Sequence, residues 1–164
     1  IRDMIAQRTV NWIPDLNLSG EEVLIPESKA VEYSRSFLLF CLHEAILKYG
    51  QDLKNKQWII EPLANMVISL AIMDTGFKRY MQIEAGEHKD QTRDILQLSI
   101  VDQFEGCHNN GMDIVNAIFT DEKLIEKTKL VNEWHAKTDY IPKRIESQKR
   151  IANTLYENEK YYLD

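Results

Sequence analysis

The sequence predicts an all-α fold: an antiparallel, up-down bundle of about four to five helices with a central long helix. Three observations predict it. Long runs of apolar residues recur at spacings of three and four. Only six Gly and four Pro punctuate 164 residues. No segment sustains the period-2 alternation of a half-buried strand. The length suffices for one domain with a real core, and 44% hydrophobic with 28% charged residues is ordinary for a folded protein.

Residues 1–25 stand apart. Between Asn11 and Glu22 lie Pro14, Asn17, Ser19 and Gly20, which read as a linker. Pro26 then suits the first turn of a helix. Val31, Leu38, Leu42, Ala45 and Tyr49 follow at helical spacing, Phe37, Phe40 and Cys41 widen the stripe, and Gly50 supplies a stop. The predicted division is therefore a linker over 1–25 and a helical bundle over 26–164.

The second helix is expected from about Asp52 to Ala85, ended by Gly86. Its seam is Ile59, Leu63, Met66, Leu70, Met73, Phe77 and Tyr80, spaced alternately by four and three. A second stripe runs Ile60, Ala64, Val67, Ala71 and then Asp74, and Ile68 and Ile72 extend the apolar surface to a third side. A helix apolar nearly all round is expected at the centre of a bundle. Pro62 removes the hydrogen bond to the Trp58 carbonyl, which favours a kink at a cost of up to ~3 kcal/mol. The alternative is a helix that starts at Pro62, with 52–60 as a separate turn.

A third helix covers about 88–119, marked by Ile95, Leu98, Val101, Phe104, Cys107, Met112, Val115, Ile118 and Phe119. Asn109-Asn110-Gly111 is a turn signal, but the apolar phase resumes after it, so it reads as weakened helix. Shorter helices follow over about 121–137 and 142–161, the last opening with Pro142. Lys143, Arg144, Lys149 and Arg150 alternate with acidic residues and read as a solvated face.

Composition narrows the chemistry. A formal net charge of −6 argues against a general phosphate-binding surface. Cys41 and Cys107 read as two buried thiols of a reducing compartment. Residues 1–20 show no signal peptide, and the apolar stretch 66–73 is far short of a membrane span. The first residue is Ile, so a fragment is expected. Trp12, Trp58 and Trp134 read as packing anchors.

Catalytic motifs are missing. His43-Glu44 lacks a second His four residues on, where Leu47 stands. Glu105-Gly106-Cys107-His108 is one Glu-x-x-His unit, and neither His43, His88 nor His135 supplies the second copy that a di-iron bundle needs. There is no GxSxG, GxGxxG or GxxxxGK, and Ser69 has no His at helical spacing. No catalytic, cofactor-binding or metal-ligating residue is assigned. A buried Asp74 needs a partner or a raised pKa. Asp74, Thr75, Arg79 and Asn65 form the candidate site, a structural polar network.

Ala64-Asn65-Met66-Val67-Ile68 and Ala71-Ile72-Met73-Asp74-Thr75-Gly76-Phe77-Lys78-Arg79 resemble the pattern A-D-x-x-I-x-x-x-A-M-E-S-A-x-x-R. That pattern belongs to the C-terminal helical extension of acyl-CoA dehydrogenases, in their very-long-chain-like and bacterial long forms. Here Asn65, Asp74, Thr75 and Gly76 replace Asp, Glu, Ser and Ala. Lys56-Gln57 resembles the E-Q before this helix, and Lys149-Arg150-Ile151-Ala152 and Glu159-Lys160-Tyr161 resemble the terminal R-x-I-A and E-K-Y. Arg2-Asp3-Met4-Ile5-Ala6 is similar to the R-x-x-I-A that follows the family's E-G-T, which is absent here.

The resemblance implies a parent flavoprotein that oxidises acyl-CoA to trans-2-enoyl-CoA in fatty acid β-oxidation, a carboxylate taking the α-proton and FAD the hydride. It implies that this stretch is non-catalytic and without a cofactor of its own, FAD belonging to the parent. The expected partners are the catalytic domains of the same polypeptide and further copies in a homo-oligomer. No nucleic acid is expected, membrane-surface contact is open, and the cytoplasm is the expected location. The rival readings are a free-standing helical adaptor that binds a partner helix and a ferritin-like metal-binding bundle.

Overall fold

The computed structural model of the chain describes residues 24–83 and 89–158. Five α-helices follow one another: α1 Ile25–Tyr49, α2 Gln57–Gln82, α3 Lys89–Ile118, α4 Asp121–Ala136 and α5 Arg144–Asn158. A 3-10 turn over Gly50–Asn55 joins α1 to α2. No strand occurs among the described residues, and the helices form the expected up-down bundle. Of the linker expected over 1–25, residues 1–23 lie outside the described residues and Ile25 already belongs to α1; Trp12, the stop at Gly86, His88 and the chain from residue 159 onward also lie outside them.

Helix α1 begins with Pro26 in its first turn, where the missing N–H costs nothing. It ends at Gly50, whose φ of 52° only glycine adopts freely and whose N–H reaches the Ile46 carbonyl. Its buried face is Ala30, Val31, Tyr33, Ser34, Phe37, Phe40, Cys41 and Ala45. Leu42, expected in the stripe, is 38% exposed, because the wider aromatic set pulls the buried face away from it.

Neither expectation for the start of α2 holds. Residues 50–55 form a separate tight turn, yet the helix begins at Gln57, ahead of Pro62. Lys56 closes the join, its carbonyl accepting from both Ile59 and Ile60. Pro62 sits in the second turn and is itself buried. Its lost hydrogen bond falls near a helix end, where few turns depend on it. The seam is placed as read: Ile59, Leu63, Met66, Met73 and Tyr80 are buried, and Leu70 and Phe77 pack against them. Each fully buried side chain of this kind contributes about 1.5–3 kcal/mol.

The central long helix is α3, not α2. It packs against all four other helices, whereas α2 lies between α1 and α3 and leaves a third side open. By length and composition α2 is nevertheless long and apolar enough to cross a membrane, which the stretch 66–73 alone does not convey.

Helix α3 runs unbroken through Asn109-Asn110-Gly111. A Cβ at Gly111 would overlap three atoms of the Phe37 ring, so the glycine lets an aromatic side chain of α1 lie on the α3 backbone. Trp134 packs edge-on to Phe40, 5.4 Å between centroids, as a packing anchor should. Trp58 does not: it is 59% exposed, with the Lys56 ammonium 5.6 Å above its ring. The basic residues of α5 are also not all solvated. Arg150 donates to the buried Asp94 carboxylate at 2.8 Å, and Arg144 pairs with Asp102 and Glu105, so both tie α5 to α3. Lys143 and Lys149 are exposed.

Gly111→Ala is expected to destabilise the chain by about 1–3 kcal/mol through overpacking against Phe37, although alanine is the better helix former. Urea denaturation of the variant and of Gly111→Ala combined with Phe37→Leu checks this. The second change should restore part of the loss.

Candidate functional site: an apolar face and its polar ties

Side chains on a helix present one side to each neighbour, and α2 has three apolar sides but two neighbours. The side toward α3 carries Ser69, whose hydroxyl oxygen lies over Gly106, and Gly76, where a Cβ would meet the Leu96 methyl at 2.8 Å. The side toward α1 carries Ile60 and Val67. The third carries Ile68 and Ile72 and faces outward, with Ile68 56% exposed and Ile72 42%.

Helix α1 extends this surface. Leu38, Leu39 and Leu42 meet Ile60, Ala64 and Val67 across a shallow groove closed at one end by Leu53 of the tight turn. Leu39 and Ile46, each about half exposed, continue the apolar surface along α1. Scattered apolar residues are normal on a protein surface, but a contiguous set across two helices marks a contact surface.

Polar ties flank that face. Arg35 of α1 donates from one guanidinium nitrogen to both oxygens of Asp74 on α2, at 2.9 and 3.1 Å. Its other terminal nitrogen pairs with Glu32 one turn earlier. Burial pushes the Glu32 carboxyl above its usual range and Arg35 draws it back; its second oxygen, Oε2, is buried without a partner. On the other side, Asn65 donates to Asn110 of α3 at 3.2 Å, and Asn110 donates to the Gly106 carbonyl at 2.7 Å.

The four residues singled out in the sequence therefore do not meet. Asp74 and Asn65 each reach a different neighbouring helix, and Thr75 and Arg79 are exposed, their side chains hydrogen-bonded to neither. Sequence reasoning missed Arg35, which stands 39 residues from Asp74. Its spacing of three from Glu32 was readable; its reach to another helix was not.

The motifs considered for catalysis are dispersed. Glu105 turns to Arg144, away from the role its spacing with His108 invites. The Nδ1 of His108 instead shares a hydrogen bond of 2.7 Å with the Tyr33 hydroxyl. Among the described residues, no three His, Cys, Asp or Glu side chains are grouped to hold a metal ion. Cys41 and Cys107 are free and buried, and burial pushes both thiols up, Cys107 to about 11. Neither is poised as a nucleophile.

No protein-family model matches the chain, and no curated protein matches it. A solved structure does. The chain has the fold of part of an acyl-CoA dehydrogenase. One similar structure is the Bacillus anthracis enzyme, crystallised complexed with FAD, at a TM-score of 0.81 and 18% identity. The similarity covers 98% of this chain and 27% of that one, so the chain spans little more than a quarter of the length of its structural relative. At this identity the likeness is one of fold.

Because the Arg35–Asp74 pair is only about two-thirds shielded, its coupling is expected to be small, about 1 kcal/mol or less. A double-mutant cycle with Arg35→Met and Asp74→Asn in thermal unfolding measures it, and about 1 M salt should weaken it.

Proposed function

We propose that this chain is the non-catalytic C-terminal helical domain of a flavin-dependent acyl-CoA dehydrogenase, and that its exposed α1–α2 face packs against the catalytic part of the same polypeptide. The observation that carries the proposal is the likeness in fold over 98% of this chain to part of an FAD-bound acyl-CoA dehydrogenase. The open side of α2 supports it, since an apolar surface on two neighbouring helices is favourable only when covered. The resemblance of 64–79 to the family's extension motif lies on that same helix.

FAD belongs to the parent in this reading, because the described residues do not fit it. The α1–α2 groove is apolar and presents no set of donors for a pyrophosphate. Another groove, at the corner between α3 and α4, has two of its three lysines already engaged, the third, Lys123, being exposed. Lys48 donates to the Ala117 and Ile118 carbonyls, and Lys127 lies over Phe119 and pairs with Glu126. The parent's oxidation of acyl-CoA to enoyl-CoA is thus performed elsewhere, and this domain contributes surface.

A second reading is favoured by the groove itself. Leu38, Leu39, Leu42, Ile60 and Val67 form a channel that suits one amphipathic helix of a separate partner. The coding sequence ahead of residue 1 separates the two: the proposal requires a flavin dehydrogenase region there, and its absence would sink it.

The purified chain is expected to show no flavin absorbance and no acyl-CoA oxidation; stoichiometric FAD on it would overturn the proposal. Ile68→Lys with Ile72→Lys should change the unfolding free energy of the isolated chain by no more than about 0.5 kcal/mol, because both sites are exposed. The same pair should lower self-association in sedimentation velocity and reduce the thermal stability of the parent dehydrogenase. An unaffected parent would exclude this face as the contact.

A further inference from the structure

The connection between α4 and the rest of the bundle holds a group of rings that the packing role leaves unused. Tyr33 of α1, His108 and Phe104 of α3, His135 of α4 and Tyr140 of the following connection lie in mutual contact. The His108 and His135 centroids are 4.7 Å apart, His135 stacks on Phe104 at 5.2 Å, and Tyr33 meets His135 edge-on at 5.5 Å. Tyr140 packs edge-on to Phe104 at 5.2 Å. Helix α4 has few other buried anchors: Val131 and Trp134 are its only buried residues.

We propose that the Tyr33–His108–His135 cluster is a proton-operated latch, holding the C-terminal end of α4 against α1 and α3 and releasing it on acidification. This is independent of what covers the α1–α2 face.

The charge environment makes the latch one-sided. From α1 the cluster is faced by the Tyr33 phenol, which burial keeps protonated. From α3, Glu105 is turned to Arg144 and Cys107 to the Ser34 carbonyl. Arg144 of α5 is held by Asp102 and Glu105. Tyr140 is also kept protonated by burial, and Glu133, Lys137 and Asp139 are exposed. Among the described residues, the charge that bears on His108 is that of His135. Among the described residues, Glu27 and Glu105 bear on Tyr140 rather than on either imidazole, so no carboxylate pairs with them to stabilise two imidazolium ions.

Burial holds both imidazoles below the usual histidine range, and for His108 the neighbouring His135 adds to this. The C-terminal end of α4 favours a positive His135, but desolvation outweighs it. Protonating His108 keeps the Tyr33 hydrogen bond, with Nδ1–H now donating to the phenol oxygen. What the closed form does not accommodate is two cations with ring centroids 4.7 Å apart. The released form has ordinary imidazoles and binds more protons. The closed form is therefore fully favoured above about pH 6.5 and loses ground as pH falls through that value.

Hydrogen exchange on the full chain at about pH 7.5 and about pH 5.5, corrected for intrinsic rates, tests this, since these values bracket histidine titration. Residues 121–136 should lose protection by up to about tenfold for each of the two histidines held neutral in the closed form, while α2 and α3 change far less. His108→Gln with His135→Gln should abolish the selective loss. An equal loss in all helices, or the same loss in the double variant, would overturn the latch. His135→Gln alone gives a second readout: by NMR, His108 should titrate at higher pH than in the unaltered chain. An unmoved His108 would also overturn it.

Discussion

The ring of Phe37 lies on the backbone of α3 at Gly111, and this contact sets how closely α1 and α3 approach. Around it the packing is tight enough for thiols to reach main-chain oxygens across the interface, Cys41 to Gly111 at 3.7 Å and Cys107 to Ser34 at 3.9 Å. A residue with a side chain at position 111 would push the helices apart and disturb everything ordered above that interface. Tyr33 and Phe104 meet at 5.5 Å one layer along, and Phe40 meets Trp134 in the opposite direction. Helix α2 then rests against both α1 and α3, with Ser69 over Gly106. Close-packed interiors behave this way: one short distance propagates through rotamers that have little room to adjust.

The polar ties act where the apolar seams stop specifying. Arg35–Asp74, Asn65–Asn110 and Arg150–Asp94 each join a different pair of helices. Their energies are modest because all are partly wet. Their geometry matters more, since a slide by one turn would separate each pair and leave Asp94 buried without its cation. A bundle whose register is pinned in this way can leave the outer side of α2 free. The apolar face is then a consequence of sufficient internal order: nothing inside the bundle needs that side for its register.

Much of the fold was legible because periodicity is a local property. The spacing from Ile59 to Tyr80 marks a buried seam whatever packs on it, and the resumed phase at Met112 overrules the turn signal of Asn109-Asn110-Gly111. What periodicity omits is the number and identity of neighbours. An apolar helix reads alike whether enclosed or partly bare, which is why α2 was expected at the centre that α3 occupies. Leu42 and Trp58 illustrate the same gap: residue type indicates what can be buried, and the neighbour decides what is. The site was less legible still. Asp74 stood out because a carboxylate interrupts an apolar stripe, but its partner Arg35 and the meeting of His108 with His135 depend on how separate helices are laid together.

The dipeptide Asn110-Gly111 carries a consequence of a different kind. In a flexible chain, an asparagine followed by glycine ages chemically, the following backbone nitrogen attacking the side-chain amide to form a cyclic imide. In this protein that nitrogen belongs to a continuous helix, and the amide is fastened to the Gly106 carbonyl and to Asn65. The helix on which the Phe37 ring rests thereby also protects a perishable linkage, so the lifetime of the folded chain as an intact covalent molecule depends on the same turn of backbone as its packing.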